Sequence, residues 1–368
     1  MKKFLHIILF IFNALLLVSL LLSYSSVFIS PEKFWVPAFF GLAFPVIFLA
    51  NFLFVIYWAI RKRKKLFFTS LILILLGLTY VFDYFQFGFL KNISQENKPV
   101  LKILSYNVKL FDLYNWTNNI NTRNEIFNII DKENADILCF QEFYKEDINR
   151  FNTLDTLLKF QDAKYYHDEY SQIKANTYYF GIITLSKYPI VNKGLFKFKN
   201  SDNICIYSDI VYNNDTLRVY NNHLESIRFD IEDHSFIDNL EIDEIKLKGI
   251  KSIYTRLKEA FVKRSEQVDM ISYHIAQSPY PVIVCGDFND TPVSYAYRKL
   301  KRNLKDSFKE SGSGFGKTYT GKFPSFRIDY IFHSEDMKCI DFNIIKKSYS
   351  DHYPIVGKLV FNNELLSE

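Results

Sequence analysis

Cysteine, proline and glycine are scarce in this chain, with 4, 10 and 12 of 368 residues. Cys139, Cys205, Cys285 and Cys339 make no CxxC pair, which excludes the usual thiolate zinc sites. Three sit in apolar runs (Ile137-Leu138-Cys139-Phe140, Ile204-Cys205-Ile206 and Ile283-Val284-Cys285-Gly286), where cysteine acts as a small buried hydrophobe. Disulfides in an oxidising compartment stay open, because their connectivity is not readable from sequence. The chain also lacks a P-loop, an HExxH helix and a Gly-x-Ser-x-Gly elbow, which excludes nucleoside triphosphatases, zincin proteases and serine hydrolases. It has no internal repeat and no low-complexity tract.

A basic excess is missing where it would matter for nucleic acid. Of 45 Lys/Arg and 40 Asp/Glu, residues 1–100 hold ten and three, leaving 35 basic against 37 acidic residues beyond them. A domain that grips long nucleic acid carries a basic face, so this balance weighs against a nuclease while leaving room for a local patch.

Long hydrophobic runs, by contrast, are plentiful at the start. Phe4 to Tyr24, Phe34 to Ile60 and Leu66 to Phe82 are each near the ~17–25 residues a helix needs to cross a bilayer. They predict three transmembrane helices within residues 1–90. Asn13 and Asn51 interrupt them, and Pro37 and Pro45 kink the second. A cleaved signal peptide is the rival reading of the first run, since Lys2 and Lys3 precede it and Ser23-Tyr24-Ser25-Ser26 ends it. Arg61-Lys62-Arg63-Lys64-Lys65 separates the second and third runs. By the positive-inside tendency, the N-terminus and this loop are cytoplasmic, and everything after the third run lies outside the cytoplasm.

Residues 91–99 read as a polar linker ending in Pro99, and residues 100–368 as the soluble domain. Strands are predicted at Leu101–Tyr106, Ala135–Phe140, Tyr179–Leu185, Ile204–Val211, Leu217–Asn222, Pro281–Gly286, Ile328–His333 and Ile355–Phe361. Helices are predicted at Thr122–Glu133 and Ile245–Ala276, with Ile227–Glu244 as an acidic surface insertion. Ser311 to Gly321 is glycine-rich with aromatics and reads as a loop beside the site, with Phe315 and Tyr319 available to stack on substrate. Short strands alternating with helices and hairpins fit two packed mixed sheets with helices outside.

Polar clusters stand at the ends of these strand-like runs: Asn107, Gln141-Glu142, Asn221-Asn222-His223, Gly286-Asp287-Phe288-Asn289, Arg327-Ile328-Asp329-Tyr330 and Ser350-Asp351-His352. Carboxylates, an amide and an imidazole at strand ends are what metal-assisted attack on a phosphate ester requires. Mg²⁺ favours carboxylates and water over thiols, with Mn²⁺ as its alternate. Gly286 permits a tight strand exit, Asp287 can then orient water, and Asn289 can donate to a phosphate oxygen. His352 can stabilise developing charge, while the neighbouring Asp351 faces the metal or a bound water.

The ordered set of six resembles the endonuclease/exonuclease/phosphatase superfamily, the deoxyribonuclease-like phosphoesterases, over roughly Val100 to Phe361. That resemblance implies an α+β fold, a four-layer α/β/β/α sandwich. It implies Glu142 with Asn107, and Asp351, at the metal, and Asp287, Asn289, His223, Asp329 and His352 as catalytic residues. In the family pattern His223 pairs with Asp329, whose carboxylate sets the imidazole's tautomer. Arg327 and Tyr330 flank Asp329 as substrate contacts. The implied protein is a membrane-anchored, Mg²⁺-dependent phosphoesterase acting on a phosphodiester or phosphomonoester of a lipid, small molecule or nucleic acid. The alternatives are a nuclease and a non-catalytic membrane module that binds with the same pocket.

Overall fold

The structure, a computed structural model, describes residues 2–88, 99–147, 153–227, 244–321 and 327–362. The expected linker at 91–99 and insertion at 227–244 lie almost wholly outside the described residues. The chain divides into two compact units: Met1–Asp83 with Ser226–Val268 and Asp290–Lys299, and Tyr84–Glu225 with Asp269–Asn289 and Leu300–Glu368.

The first unit begins with four helices, α1 (Lys2–Ser25), α2 (Val36–Leu42), α3 (Phe44–Ile60) and α4 (Lys64–Tyr84). Among the described residues only two segments are singly long and apolar enough to cross a membrane, Lys3–Ser25 and Lys64–Tyr84. The expected second span is instead two helices bent by 71°. Pro45 explains the break: a proline at the start of α3 has no N–H to extend a helix from α2, and Ala43 between them leaves helical geometry. The expectation of three spans is thus corrected to two, or three where the bent pair crosses as one. The interrupting asparagines are hydrogen-bonded across and within the helices. Trp58 Nε1 donates to Asn13 Oδ1 at 2.9 Å, and Asn51 Nδ2 donates to the Leu16 and Ile47 carbonyls at 3.0 and 2.9 Å. In the same unit Trp35 and Phe39 pack on Tyr254 and Phe261. Those two belong to the long helix α7, which follows α5 (Thr122–Glu133) and α6 (Thr153–Gln161) and spans Glu244–Ile275.

The second unit is built on two mixed six-stranded sheets. In chain order its strands are β1 (Phe85–Phe87), β2 (Val100–Asn107), β3 (Ile137–Glu146), β4 (Tyr165–Lys174), β5 (Tyr178–Ser186), β6 (Ile190–Lys197), β7 (Ile204–Tyr212) and β8 (Asp215–His223). They continue with β9 (Val282–Asp287), β10 (Lys305–Asp306), β11 (Ser313–Phe315), β12 (Asp329–His333), β13 (Met337–Ile344) and β14 (Ile355–Phe361). One sheet runs β13-β14-β2-β3-β5-β4 and the other β10-β12-β9-β8-β7-β6. Each has one parallel pair at its centre, β2 with β3 and β8 with β9, flanked by antiparallel neighbours.

Period-two alternation decides what each strand buries. Leu101, Ile103, Ile137 and Cys139 point inward onto Val219, Ile283, Cys285 and Ile331 of the opposite sheet. Leu104, Tyr106, Leu138 and Phe140 point outward, where Ile126, Phe127 and Ile130 of α5 and Leu157 of α6 cover them. On the other outer face, His274 near the end of α7 packs on Tyr207 and Tyr220. All four cysteines are buried and free, which bears out their reading as small hydrophobes.

Candidate active site

Both parallel pairs end at the same place, which is how the two sheets build one site. Asn107 closes β2 opposite Gln141 of β3, and His223 closes β8 opposite Asp287 of β9. Beneath them a buried amide pair joins the sheets: Gln141 Nε2 donates to Asn221 Oδ1 at 2.7 Å, and Asn221 Nδ2 donates to the Ile183 carbonyl at 2.9 Å. The pairing of β3 with β5 slips between Phe140 and Phe143, and Glu142 takes a left-handed φ of 48° there. This bulge turns Glu142 toward the site while Gln141 stays in the core. Gly286 has a φ of 130°, and a Cβ on it would meet the Asn222 carbonyl oxygen at 2.0 Å. Only glycine lets β9 approach β8 so closely ahead of Asp287.

Asn107 is the hub. Its Nδ2 donates to Glu142 Oε1 at 3.1 Å and to Asp287 Oδ2 at 3.0 Å. Asp287 is further held by the Asn289 backbone N–H at 2.9 Å. Asn289 Nδ2 donates to the Leu224 carbonyl at 2.9 Å and to Asp287 at 3.3 Å, so Asn289 braces Asp287. Two imidazoles face the same carboxylate: His352 Nε2 lies 3.6 Å and His223 Nε2 3.8 Å from Asp287 Oδ2. His223 Nε2 is also 3.9 Å from Glu142 and makes no hydrogen bond of its own.

The partner of Asp329 is His352, which corrects the expected pairing with His223. His352 Nδ1 lies 3.1 and 3.0 Å from the two Asp329 oxygens. The register explains it: Asp329 stands directly across from Asp287, and Ser350 ties the final loop to β2 by donating to the Asn107 carbonyl at 2.8 Å. Arg327 and Tyr330 are not at the centre either. Arg327 is 2 % exposed, pairs with Asp306 at 2.5 Å and lies over the rings of Phe308 and Tyr330. Tyr330 is fully buried and donates to the Arg327 carbonyl. Asp351 is paired by Lys109 at 2.8 Å, a residue the sequence reading missed although it stands two positions after Asn107. Of the two aromatics expected in the loop, Tyr319 packs edge-on against His352 at 5.3 Å. Phe315 is drawn away onto Phe85 by the β1–β11 ribbon.

Charge is crowded here, with four carboxylates and two imidazoles. Burial raises the pKa of Glu142, and the charge of Asp351 adds to the effect. Burial likewise raises Asp287. Burial opposes charging of His352, but Asp329 and Asp287 outweigh it and hold the imidazole well above its ordinary value. His223 goes the other way, lowered chiefly by burial. Burial would also raise Asp351, yet His352 and Lys109 keep it below the usual range. A charged, carboxylate-bound imidazole beside a neutral one with a free nitrogen can stabilise negative charge and exchange a proton.

Residues 104–352 match the model of the Endonuclease/Exonuclease/phosphatase family. The chain belongs to that family. Like its members it is a metal-dependent hydrolase of phosphate ester bonds. Residues 4–84 match a domain of unknown function, DUF8431. No curated protein matches the chain. Solved structures share the fold at low identity. A family protein from Bacteroides thetaiotaomicron has 17 % identity and a TM-score of 0.51, covering 74 % of this chain and 99 % of that one. A mannosyl-6-phosphatase from the same organism has 17 % identity and a TM-score of 0.51, covering 71 % and 100 %. The human Nocturnin catalytic domain with bound sulfate has 18 % identity and a TM-score of 0.50, covering 72 % and 94 %.

The donor set of this family site suits a hard divalent ion. Oxygens predominate, and burial raises the Glu142 and Asp287 carboxyls, so a cation there would favour their charged forms. Asp287, Asp329 and His352 bring one ligand atom each within 4.8 Å of one another. The charged His352, already committed to Asp329, is a poorer ligand than Glu142 with Asn107 beside it.

Proposed function

We propose that the chain is a membrane-anchored, Mg²⁺-dependent phosphoesterase that hydrolyses a phosphodiester or phosphomonoester by in-line attack of water. The observation that carries this reading is the convergence of Asn107, Glu142, Asp287, His223 and the His352–Asp329 pair at the ends of two parallel strand pairs. Glu142 and Asn107, with Asp351 nearby, would hold the ion, whose contribution is to polarise the phosphoryl oxygen. Asp287, braced by Asn289 and Asn107, orients the attacking water. His352, charged through Asp329, donates to a phosphoryl oxygen as charge builds in the transition state. His223 offers its unengaged Nε2 to the substrate.

A lipid or small phosphoester fits better than nucleic acid, because the chain beyond residue 100 carries 35 basic against 37 acidic residues. We place the N-terminus and the basic loop on the cytoplasmic side and the catalytic unit on the other.

The test uses the full chain in detergent, with Mg²⁺ or with EDTA, on p-nitrophenyl phosphate, bis-p-nitrophenyl phosphate, a phospholipid panel and plasmid DNA. Expected is Mg²⁺-dependent turnover of small esters or lipids, reduced ~10²–10⁴-fold by Asp287→Asn and by Asp329→Asn. Cleavage of DNA alone, falling steeply with salt, would move the reading to a nuclease. A folded protein silent on every ester would move it to a binding module.

A further inference from the structure

Just beyond Asn107 the backbone does something that L residues avoid. Lys109, Leu110, Phe111 and Asp112 all have positive φ, at 46°, 53°, 55° and 59°. Four left-handed residues in a row cost free energy and persist only where their surroundings hold them. Here the holding groups are plain. Phe111 is buried against Phe127 and Phe143. Asp112, 9 % exposed, accepts from the Thr117 backbone N–H and hydroxyl, and its own carbonyl accepts from the Asn115 N–H at 2.8 Å. The loop is therefore pinned at both ends.

What this pinned loop displays is unusual for a water-facing surface. Tyr114 is 60 % and Trp116 48 % exposed, and their rings meet edge to face at 5.0 Å. Lys109 ties them to the site: its Nζ sits 5.2 Å from the Trp116 ring centre and 2.8 Å from Asp351 Oδ2. The ammonium also bears on the Glu142 carboxyl. One cation thus links the catalytic carboxylates to an exposed aromatic pair.

We propose that Trp116 and Tyr114, positioned by Lys109, form the subsite for the non-phosphate part of the ester, and that this part carries a flat face able to stack on an indole. This rests on the phosphoesterase reading of the neighbouring centre. Flat faces of this kind belong to aryl groups and nucleobases and, through their C–H edges, to sugar rings. A glycerol or short alkyl ester has none. Aromatic platforms hold such groups with little loss of side-chain entropy, because two χ angles position a large rigid surface.

The experiment compares kcat/KM of the full chain with Mg²⁺ on phenyl phosphate, adenosine monophosphate, a hexose 6-phosphate and glycerol 1-phosphate. Trp116→Ala should lower the ratio of at least one flat-faced ester to glycerol 1-phosphate by roughly tenfold, the scale of one stacked ring, through KM. Trp116→Phe should keep most of the preference. Which ester loses most tells aryl or base from sugar. Unchanged ratios on all three would overturn the subsite. Failure of the wild type on all four and on the diester bis-p-nitrophenyl phosphate would instead overturn the phosphoesterase reading. Calorimetric titration of phenyl phosphate and inorganic phosphate then decides the subsite alone. Tighter phenyl phosphate binding lost in Trp116→Ala supports it, and equal affinities in both proteins overturn it.

Discussion

Asp287 is the residue on which the centre closes, since its Oδ2 takes the Asn107 hydrogen bond and faces both imidazoles. Its neighbours illustrate how position on a strand sorts catalytic from structural side chains. Asp329 faces the site, so Tyr330, the next residue on β12, must face the opposite side, where it is buried. Arg327 lies just before the strand, and its guanidinium serves Asp306 within the core. Removing it should therefore damage stability and not recognition. Arg327→Met takes the guanidinium from the buried Asp306 carboxylate, at a cost of ~3–5 kcal/mol. Denaturant titration should register that loss, while KM of the residual folded enzyme should stay within about twofold. A large rise in KM at unchanged stability would return Arg327 to the substrate. The Gly-Asp-Phe-Asn tetrapeptide was readable from sequence because its glycine answers a steric need that nothing else meets. The His352–Asp329 pair was not, because two histidines compete for one carboxylate and only strand register chooses between them.

At the scale of elements, the strands that sequence patterning recovered are mostly central ones. β2, β3, β5, β7, β8, β9, β12 and β14 lie inside the sheets and read as apolar runs. β4, β6 and β13 escaped because each is a sheet edge, where one side meets solvent and the apolar run dissolves into mixed sequence such as Tyr-Tyr-His-Asp-Glu-Tyr. The edge strand β4 nevertheless carries an internal contact between the sheets. His167 is 3 % exposed, and its Nδ1 lies 3.0 Å from the Ser208 hydroxyl of β7. Glu169 at 3.9 Å, Asp168 and Lys193 are the charged groups around it. Burial, with Lys193 assisting, pushes this imidazole from 6.5 down to about 4. Between those values the unfolded chain binds a proton that the folded chain refuses. His167 therefore makes stability rise with pH through that window and fall as pH drops from 6.5 toward 4, by on the order of 3 kcal/mol. His167→Gln keeps a hydrogen-bonding group and removes the titration. Denaturation midpoints from pH 4 to 7 should show a flatter profile for the variant, and parallel profiles would refute the assignment.

For the whole molecule, the membrane-anchored reading proposed above makes the side on which phosphate esters are met turn on one proline-broken helix pair. If α2 and α3 cross as a bent span, the Lys2-Lys3 end and the Arg61–Lys65 loop share the cytoplasm, and α4 carries the catalytic unit out of it. If the pair re-enters on the side it left, five consecutive basic residues must be translocated, and the catalytic unit returns to the side of the N-terminus. The positive-inside tendency opposes the second arrangement, because lysine and arginine near span ends resist translocation. The native cysteines favour a direct measurement, since all four are buried and free. Single cysteines at the exposed positions Lys33, Lys62 and Lys174 can be treated with an impermeant maleimide in intact cells. Lys33→Cys and Lys174→Cys should label at once and Lys62→Cys only after permeabilisation. Labelling of Lys62→Cys with protection of Lys174→Cys would make the pair re-entrant and the esterase cytoplasmic, and its substrates would then be those of the cell interior.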